Sequence, residues 1–127
     1  MWSAPTRPAS GPQRRLEAAL RARGISEWER DPRDIGGAAP DLLFRHRELA
    51  VFVDGCQWHG CKDHWKPARS ATHGLSRERV LRQQHTDRVS RGALRARGMR
   101  VLAFWEHELR GKSGAMACAA RVVEALR

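Results

Sequence analysis

Apolar positions along the 127-residue chain follow two kinds of spacing. Leu16, Ala19 and Leu20 recur at i, i+3 and i+4, which predicts an amphipathic helix over roughly Pro12 to Arg23, ended by Gly24. Ser10 and Gln13 ahead of it have capping-box spacing. Asp41-Leu-Leu-Phe-Arg45 and Leu49-Ala-Val-Phe-Val-Asp54 are short, nearly unbroken apolar runs around a polar turn at His46, Arg47 and Glu48. They predict two strands covered on both faces. Trp28 opens a short strand before a turn at Pro32, and 34–40 reads as a loop. Val80, Leu81, Val89, Ala93 and Leu94 form an imperfect buried stripe on a charged helix from Ser76 to Arg97, stopped by Gly98. Arg100-Val-Leu-Ala-Phe-Trp105 is another buried strand, and Ser113 to Leu126 a final amphipathic helix. Residues 55–75 follow neither period and are rich in Gly, Cys, His and Trp. Helix, strands, helix, strand and helix in that order predict an α/β layered domain over 12–127, with 1–11 as an irregular arm.

Composition adds a partner to this outline. A hydrophobic share of 41% is enough for a modest core, so full disorder is a poor reading. No apolar run approaches the roughly 20 residues that span a bilayer, and no signal-like stretch opens the chain, which favours a cytoplasmic protein without membrane contact. With 24 Lys and Arg against 14 Asp and Glu, the formal charge is +10, and only Lys62, Lys66 and Lys112 are lysines. Arginine's planar fork suits phosphate, so the charge points to a polyanion. A solvated arginine-rich surface would give the same arithmetic.

Candidate chemistry begins at the two strands. If Arg47 and Glu48 form a two-residue turn, Asp41 stands opposite Asp54 with Cβ atoms about 4.5–5.5 Å apart. Two carboxylates that close need a cation or a shared proton, and an oxygen-rich site suits Mg²⁺. A register shifted by one places Val53 opposite Asp41 instead and offers a backbone carbonyl. The turn has no Asn-Gly or Asp-Gly signal to choose between them.

The loop that follows holds Cys56, Cys61 and His64 within nine residues. These are zinc-ligand types, and a closed tetrahedral site needs a fourth. His107, just beyond the last strand, supplies it if that strand lies beside Leu49–Asp54; Asp63 is an alternative ligand and Cys118 a replacement for His107. Cys118 otherwise reads as a small buried apolar residue. His59 is out of step with the ligands and could take a proton from water. Trp58 either packs over the metal or presents a face to a base. His46, His73 and His85 read as ordinary surface histidines.

Pro40-Asp41, then Val53-Asp54-Gly55-Cys56-Gln57-Trp58-His59-Gly60-Cys61, then Arg100-Val-Leu-Ala-Phe-Trp-Glu106 resemble the very-short-patch-repair DNA mismatch endonucleases. The resemblance runs from about Gln13 to Lys112. It implies a restriction-endonuclease-like fold, a three-layer α/β domain with a central mixed sheet flanked by helices, plus a zinc-bound loop. It also implies nicking of one DNA strand beside a T:G mismatch with Mg²⁺.

On this resemblance Asp41 is the metal-binding aspartate, Val53 the backbone-carbonyl ligand and His59 the water-activating histidine. Cys56, Cys61, His64 and His107 match the zinc region, and Asp87 a recurrent acidic position. The sequence departs from the pattern in an N-terminal arm short for the family and in four further places. Gln13 stands where a glutamate can occur, Asp54 where a histidine can, and Gln57 where an aromatic wedge can. The region around Ser76 lacks a second tryptophan wedge.

The expected enzyme is therefore a Mg²⁺-dependent DNA endonuclease, monomeric on double-stranded DNA. Asp41, Asp54 and His59 form its catalytic set, and Asp41, Val53 and Asp54 hold magnesium. Cys56, Cys61, His64 and His107 hold a structural zinc, while Trp58, Arg77, Arg79, Arg82 and Arg88 contact DNA. Two rival readings are a related restriction or defence nuclease without mismatch specificity, and a zinc-stabilised DNA-binding module without hydrolytic activity.

Overall fold

Ser10 starts the first helix as its pattern predicts. Its hydroxyl accepts from the Gln13 N–H at 3.2 Å, and helix α1 runs Gly11–Ala22. Pro12 in the first turn has no N–H to leave unsatisfied. Leu16, Ala19 and Leu20 are buried, as their spacing requires. A computed structural model describes residues 8–127, so most of the arm expected over 1–11 lies outside the described residues. Pro8, Ala9 and Ser10 are irregular.

Strand β1 (Glu29–Arg30) follows Trp28, and β2 (Leu42–Phe44) and β3 (Leu49–Asp54) follow the loop. Between β2 and β3 lie a single 3₁₀ turn, Arg45–Arg47, and Glu48 in the left-handed region at φ 51°. The loop is thus four residues long rather than two. This sets a different register: Leu42 faces Val51, Leu43 faces Ala50 and Phe44 faces Leu49. The expected pairing of Asp41 with Asp54 is out by two positions, and the one-residue alternative is not adopted either.

The stretch 55–75 also differs from expectation. It contains two short helices, α2 (Cys56–His59) and α3 (Pro67–Thr72), each too short to leave a periodic trace. Helix α4 covers Arg77–Ala96, β4 covers Arg100–Trp105, a 3₁₀ turn covers Glu106–Leu109 and helix α5 covers Gly111–Leu126.

The four strands form one mixed sheet in the order β1-β2-β3-β4, antiparallel except for the parallel β3–β4 pair. Alternation of side chains divides the core between its two faces. Leu42, Phe44, Leu49, Val51 and Phe104 pack with Leu16 and Leu20 of α1 and with Ala115, Ala119 and Val122 of α5. On the other face, Leu43, Ala50 and Phe52 pack with Leu94 of α4 and with Ile35 and Ala38 of the loop. This is the three-layer α/β architecture expected. The stripe expected on α4 is narrower than its sequence suggests, because Val80 and Leu94 are buried whereas Leu81 and Val89 are exposed. Among the described residues, no helix is long and apolar enough to cross a membrane.

Leu20 is fully buried where α1 meets α5 and the sheet, so Leu20→Ala should cost about 2–5 kcal/mol in urea unfolding. Met116→Ala, on the exposed face of α5, should stay within about 0.5 kcal/mol of the parent.

Candidate active site and metal centre

Because β3 and β4 are parallel, both strands leave the sheet at the same end, with Asp54 beside Trp105. Gly55 and Cys56 therefore emerge next to Glu106 and His107. The Cys56 N–H at the start of α2 donates to Glu106 Oε1 at 2.8 Å, so a carboxylate from beyond β4 satisfies that helix end. One turn later Gly60 closes α2 in the left-handed region at φ 68°. A Cβ at Gly60 would run into the Gln84 side chain and press on Val80, so glycine is required there on two grounds.

The expected zinc ligands converge. Sγ of Cys56 lies 3.4 Å from Nδ1 of His107, and Sγ of Cys61 lies 3.7 Å from Nδ1 of both His64 and His107. One ligand atom from each of the four residues falls within 4.8 Å of the others. Zinc bonds of about 2.0–2.3 Å span a tetrahedron with edges of this size, so the donor set and its spacing fit that ion. Burial, with the neighbouring Cys61 thiol adding to it, pushes the Cys56 thiol up to about 11. Cys118 is elsewhere, packed in the α1–α5 core with its thiol towards the Glu108 carbonyl, and Asp63 is exposed.

Asp41 precedes β2, and its carboxylate continues the ladder where that strand has not yet begun. The Asp41 N–H donates to the Val51 carbonyl at 2.9 Å, and Asp41 Oδ2 accepts from the Val53 N–H at 2.6 Å. The Val53 N–H thus points towards Asp41, and in an extended strand the carbonyl of the same residue leaves on the same side. Asp41 and Val53 line a cavity of about 550 Å³ with Gln13, Trp58, His59, His73 and Glu106. Oxygen donors dominate that set, as Mg²⁺ prefers. Gln13 is buried, and its amide N–H groups face Glu17 Oε2 at 3.3 Å and the Asp41 carbonyl at 3.5 Å.

His59 lines both this cavity and a shallower cleft beside α4. Its Nδ1 lies 2.7 Å from Asp87 Oδ2, and because a carboxylate only accepts, Nδ1 is the donor. Burial alone would lower the His59 pKa. The Asp87 hydrogen bond and the charges of Asp54 and Asp87 outweigh it and raise the pKa above the ordinary histidine value. Burial likewise works against the Asp87 carboxylate, but hydrogen bonds from His59 and Gln83 hold its pKa below the usual range.

Asp54 does not line the Asp41 cavity; it groups with His59 and Asp87, one ligand atom of each lying within 4.8 Å of the others. Both Asp54 oxygens are held by Arg91, at 2.9 and 2.7 Å, on the α4 side of the sheet.

The DNA candidates separate. Trp58 is 53% exposed at the cavity rim, whereas its neighbour Gln57 turns inward. Gln57 donates to the His64 carbonyl at 2.6 Å, and its Oε1 accepts from the Lys66 N–H and the Ser70 hydroxyl. Arg77, Arg79, Arg82 and Arg88 are all exposed. At about 100° per residue, Arg77 and Arg88 share one flank of α4, Arg82 points outward and Arg79 lies on the other flank. Arg88 lines the cleft with His59, and Arg77 stacks over the Trp65 ring at 5.9 Å.

Four site residues escape sequence reasoning: Glu17, Arg91, Glu106 and, as a cavity wall, His73. Glu17 had one legible signal, an acid set inside the Leu16–Leu20 stripe. It is fully buried and paired with Arg30 at 2.7 and 2.5 Å.

The profile of the family described as DNA mismatch endonuclease Vsr matches residues 3–66. The type II nicking enzyme V.NaeI of Lentzea aerocolonigenes is 41% identical over 69 residues, 54% of this chain and 41% of that protein. V.NmeDIP, a type II nicking enzyme of Neisseria meningitidis serogroup C, is 32% identical over 120 residues, 91% of this chain and 76% of its own length. V.XorIIP of Xanthomonas oryzae pv. oryzae, also named a type II nicking enzyme, is 32% identical over 88 residues, 61% of this chain and 56% of its own. The chain thus spans less than half of V.NaeI and about three quarters of V.NmeDIP.

Gln57 ties α2 to the His64–Ser70 segment through three side-chain bonds, so Gln57→Ala should cost about 1–3 kcal/mol. Amide exchange should quicken over residues 64–70 before it does in β3 or β4.

Proposed function

The chain belongs to the Vsr family of DNA mismatch endonucleases, and on that premise we propose that it hydrolyses a phosphodiester in one strand of duplex DNA. One observation carries the reading. A single cavity holds the Asp41 carboxylate, seated on the Val53 N–H, and an imidazole whose far nitrogen is backed by Asp87.

Asp41 and the Val53 carbonyl are the residues that would hold Mg²⁺. Bound there, the ion supplies charge neutralisation at the scissile phosphate and at the leaving oxygen. Asp54 stands outside this set because Arg91 occupies both its oxygens. His59 has Nδ1 committed to Asp87, which leaves Nε2 to accept a proton from the attacking water. Asp87 fixes the ring's orientation and stabilises the imidazolium formed in that step, the division of labour seen wherever a carboxylate backs a catalytic histidine. Gln13 closes the cavity with an amide anchored on Glu17 and the Asp41 carbonyl.

Zinc at Cys56, Cys61, His64 and His107 would tie the α2 loop to the turn after β4, and so hold His59 and Trp58 in place. Trp58 is the wedge available for a destabilised base step, with the Arg77 and Arg88 flank of α4 on phosphates. A T:G mismatch is the substrate the family implies. Nicking of fully paired DNA is the second reading, favoured by the inward turn of Gln57, which leaves Trp58 without an adjacent aromatic.

Nicking of a T:G duplex and its fully paired counterpart, with the cut mapped on each strand, tests this reading. The T:G duplex should be cut faster, and equal rates would reject mismatch selection. Asp41→Ala should lower the rate roughly 10²–10³-fold with little change in duplex affinity. If Mg²⁺-dependent nicking survives that change, the assignment of Asp41 fails.

Purified protein should carry roughly one zinc per chain, and Cys61→Ser less than half as much. Chelation should lower the urea midpoint of the parent protein more than that of Cys61→Ser.

A further inference from the structure

Arg91 is the least exposed of the arginines on α4. Its side chain is 13% exposed, and its guanidinium lies over the Phe52 ring at 4.2 Å. Nη1 and Nη2 are spent on the two oxygens of Asp54, Nη2 is 3.8 Å from Asp87 Oδ1, and buried Nε has no hydrogen-bond partner. A cation held this way, clamped on one carboxylate and close to a second, is no solvated helix charge.

The His59 ring explains what the clamp accomplishes. Nδ1 lies 2.7 Å from Asp87 and only 3.9 Å from Asp54 Oδ1. Two carboxylates therefore stand before one N–H, which can be shared or exchanged between them. The bidentate hold on Asp54 removes it from this competition and leaves Asp87 as the acceptor.

We propose that Arg91 is a positioning residue for strand cleavage: by clamping Asp54 it fixes His59 in one orientation, Nδ1 on Asp87 and Nε2 towards the Asp41 cavity. The inference rests on the nicking function proposed above and deepens it. It assigns Asp54 to a pair with Arg91 instead of to the cation, and it accounts for an acid at a position where the family can carry a histidine. The negative charge at 54 is tolerable there because its neutralising partner sits directly above it on α4.

The test compares Arg91→Met, Asp54→Asn, the double variant and Arg91→Lys. Single-turnover nicking, duplex affinity and the ¹⁵N–¹H signature of the His59 imidazole are measured on the whole protein. Arg91→Met releases Asp54 onto Nδ1 and should slow nicking about 10–100-fold, with affinity within about threefold. Its His59 Nδ1 signal should move or split. Adding Asp54→Asn removes the competing carboxylate, so the double variant should recover to within about fivefold of the parent and regain the parental imidazole signal. Arg91→Lys, which keeps the charge but not the fork, should fall between.

A purely structural Arg91 predicts nicking that falls only with the folded fraction, and a His59 signal unmoved in the folded protein. Either result, or a double variant as slow as Arg91→Met, overturns the inference. If Arg91→Met does not fold, the double variant and Arg91→Lys still decide. If the parent does not nick at all, the function proposed above fails, while the imidazole signal continues to read the clamp by itself.

Discussion

The parallel pairing of β3 with β4 is the constraint from which the rest of the site follows. Two strands aligned Leu49 to Arg100 and Asp54 to Trp105 must deliver their ends to one edge of the sheet. Everything assembled there, the Cys and His group, the Glu106 bond to the Cys56 N–H and the turn carrying Trp58 and His59, uses residues within about ten positions of those ends. The third contribution comes from a strand that begins late. Since β2 starts at Leu42, the carboxylate of Asp41 meets the Val53 N–H where another backbone carbonyl would otherwise have paired. A rigid sheet thereby fixes Asp41, while a glycine-closed turn fixes His59, and the cavity lies between the two. Side chains on strand ends are more narrowly placed than those on free loops, which suits chemistry that fails with small displacements.

The second organising fact is the treatment of negative charge. A chain with formal charge +10 gathers Glu17, Asp41, Asp54, Asp87 and Glu106 at one end of its sheet. Each is matched to a partner, Asp41 to the Val53 N–H. Glu17 is fully buried and meets Arg30; Asp54 meets Arg91; Asp87 meets His59 and Gln83; Glu106 takes the Cys56 N–H. Buried ion pairs gain little net stability, but removing one member leaves an uncompensated charge and is expensive. Their value at this place is geometric. They hold acids where an isolated carboxylate would repel its neighbours or take up a proton.

Most of the fold was legible in the sequence, and the illegible parts have identifiable causes. Helix α1, β3 and α5 carry apolar patterns long enough to read, and the Ser10 cap sits where its spacing put it. Strand β4 is a strand as expected, but an edge strand in which only Phe104 is buried, not the buried strand its apolar run suggests. Register was not legible. The β2–β3 connection uses a 3₁₀ turn and a left-handed Glu48, neither of which has a sequence mark comparable to Asn-Gly. Helices α2 and α3 run four and six residues, below the length at which a period emerges. In the site, Cys56, Cys61, His64 and His107 could be singled out because few side chains share their chemistry. Arg91 could not, since it is one of many arginines on α4 and only packing against Phe52 and Asp54 distinguishes it from Arg82. The same blindness placed Asp54 with Asp41: identity gave the acid, but only the tertiary structure gave its partner.

Gln57 and the arginine flanks bear on how a duplex would be engaged on the proposed reading. With Gln57 turned inward to the His64–Ser70 segment, Trp58 is the large aromatic standing out beside the cavity. A single ring can widen a base step but gains less from unstacking than two adjacent rings, so discrimination must lean on steps that are already weak. The arginines reinforce this. Arg88 lines the cleft with His59, and Arg77 shares its flank of α4, whereas Arg79 lies on the opposite side of the helix. A rigid duplex seated over the cavity therefore reaches one flank and not the other. Phosphate contacts from that flank set position and register without reading sequence. On the proposed reading, selection of a site would then fall to how readily the base step beside Trp58 opens, a property of the DNA.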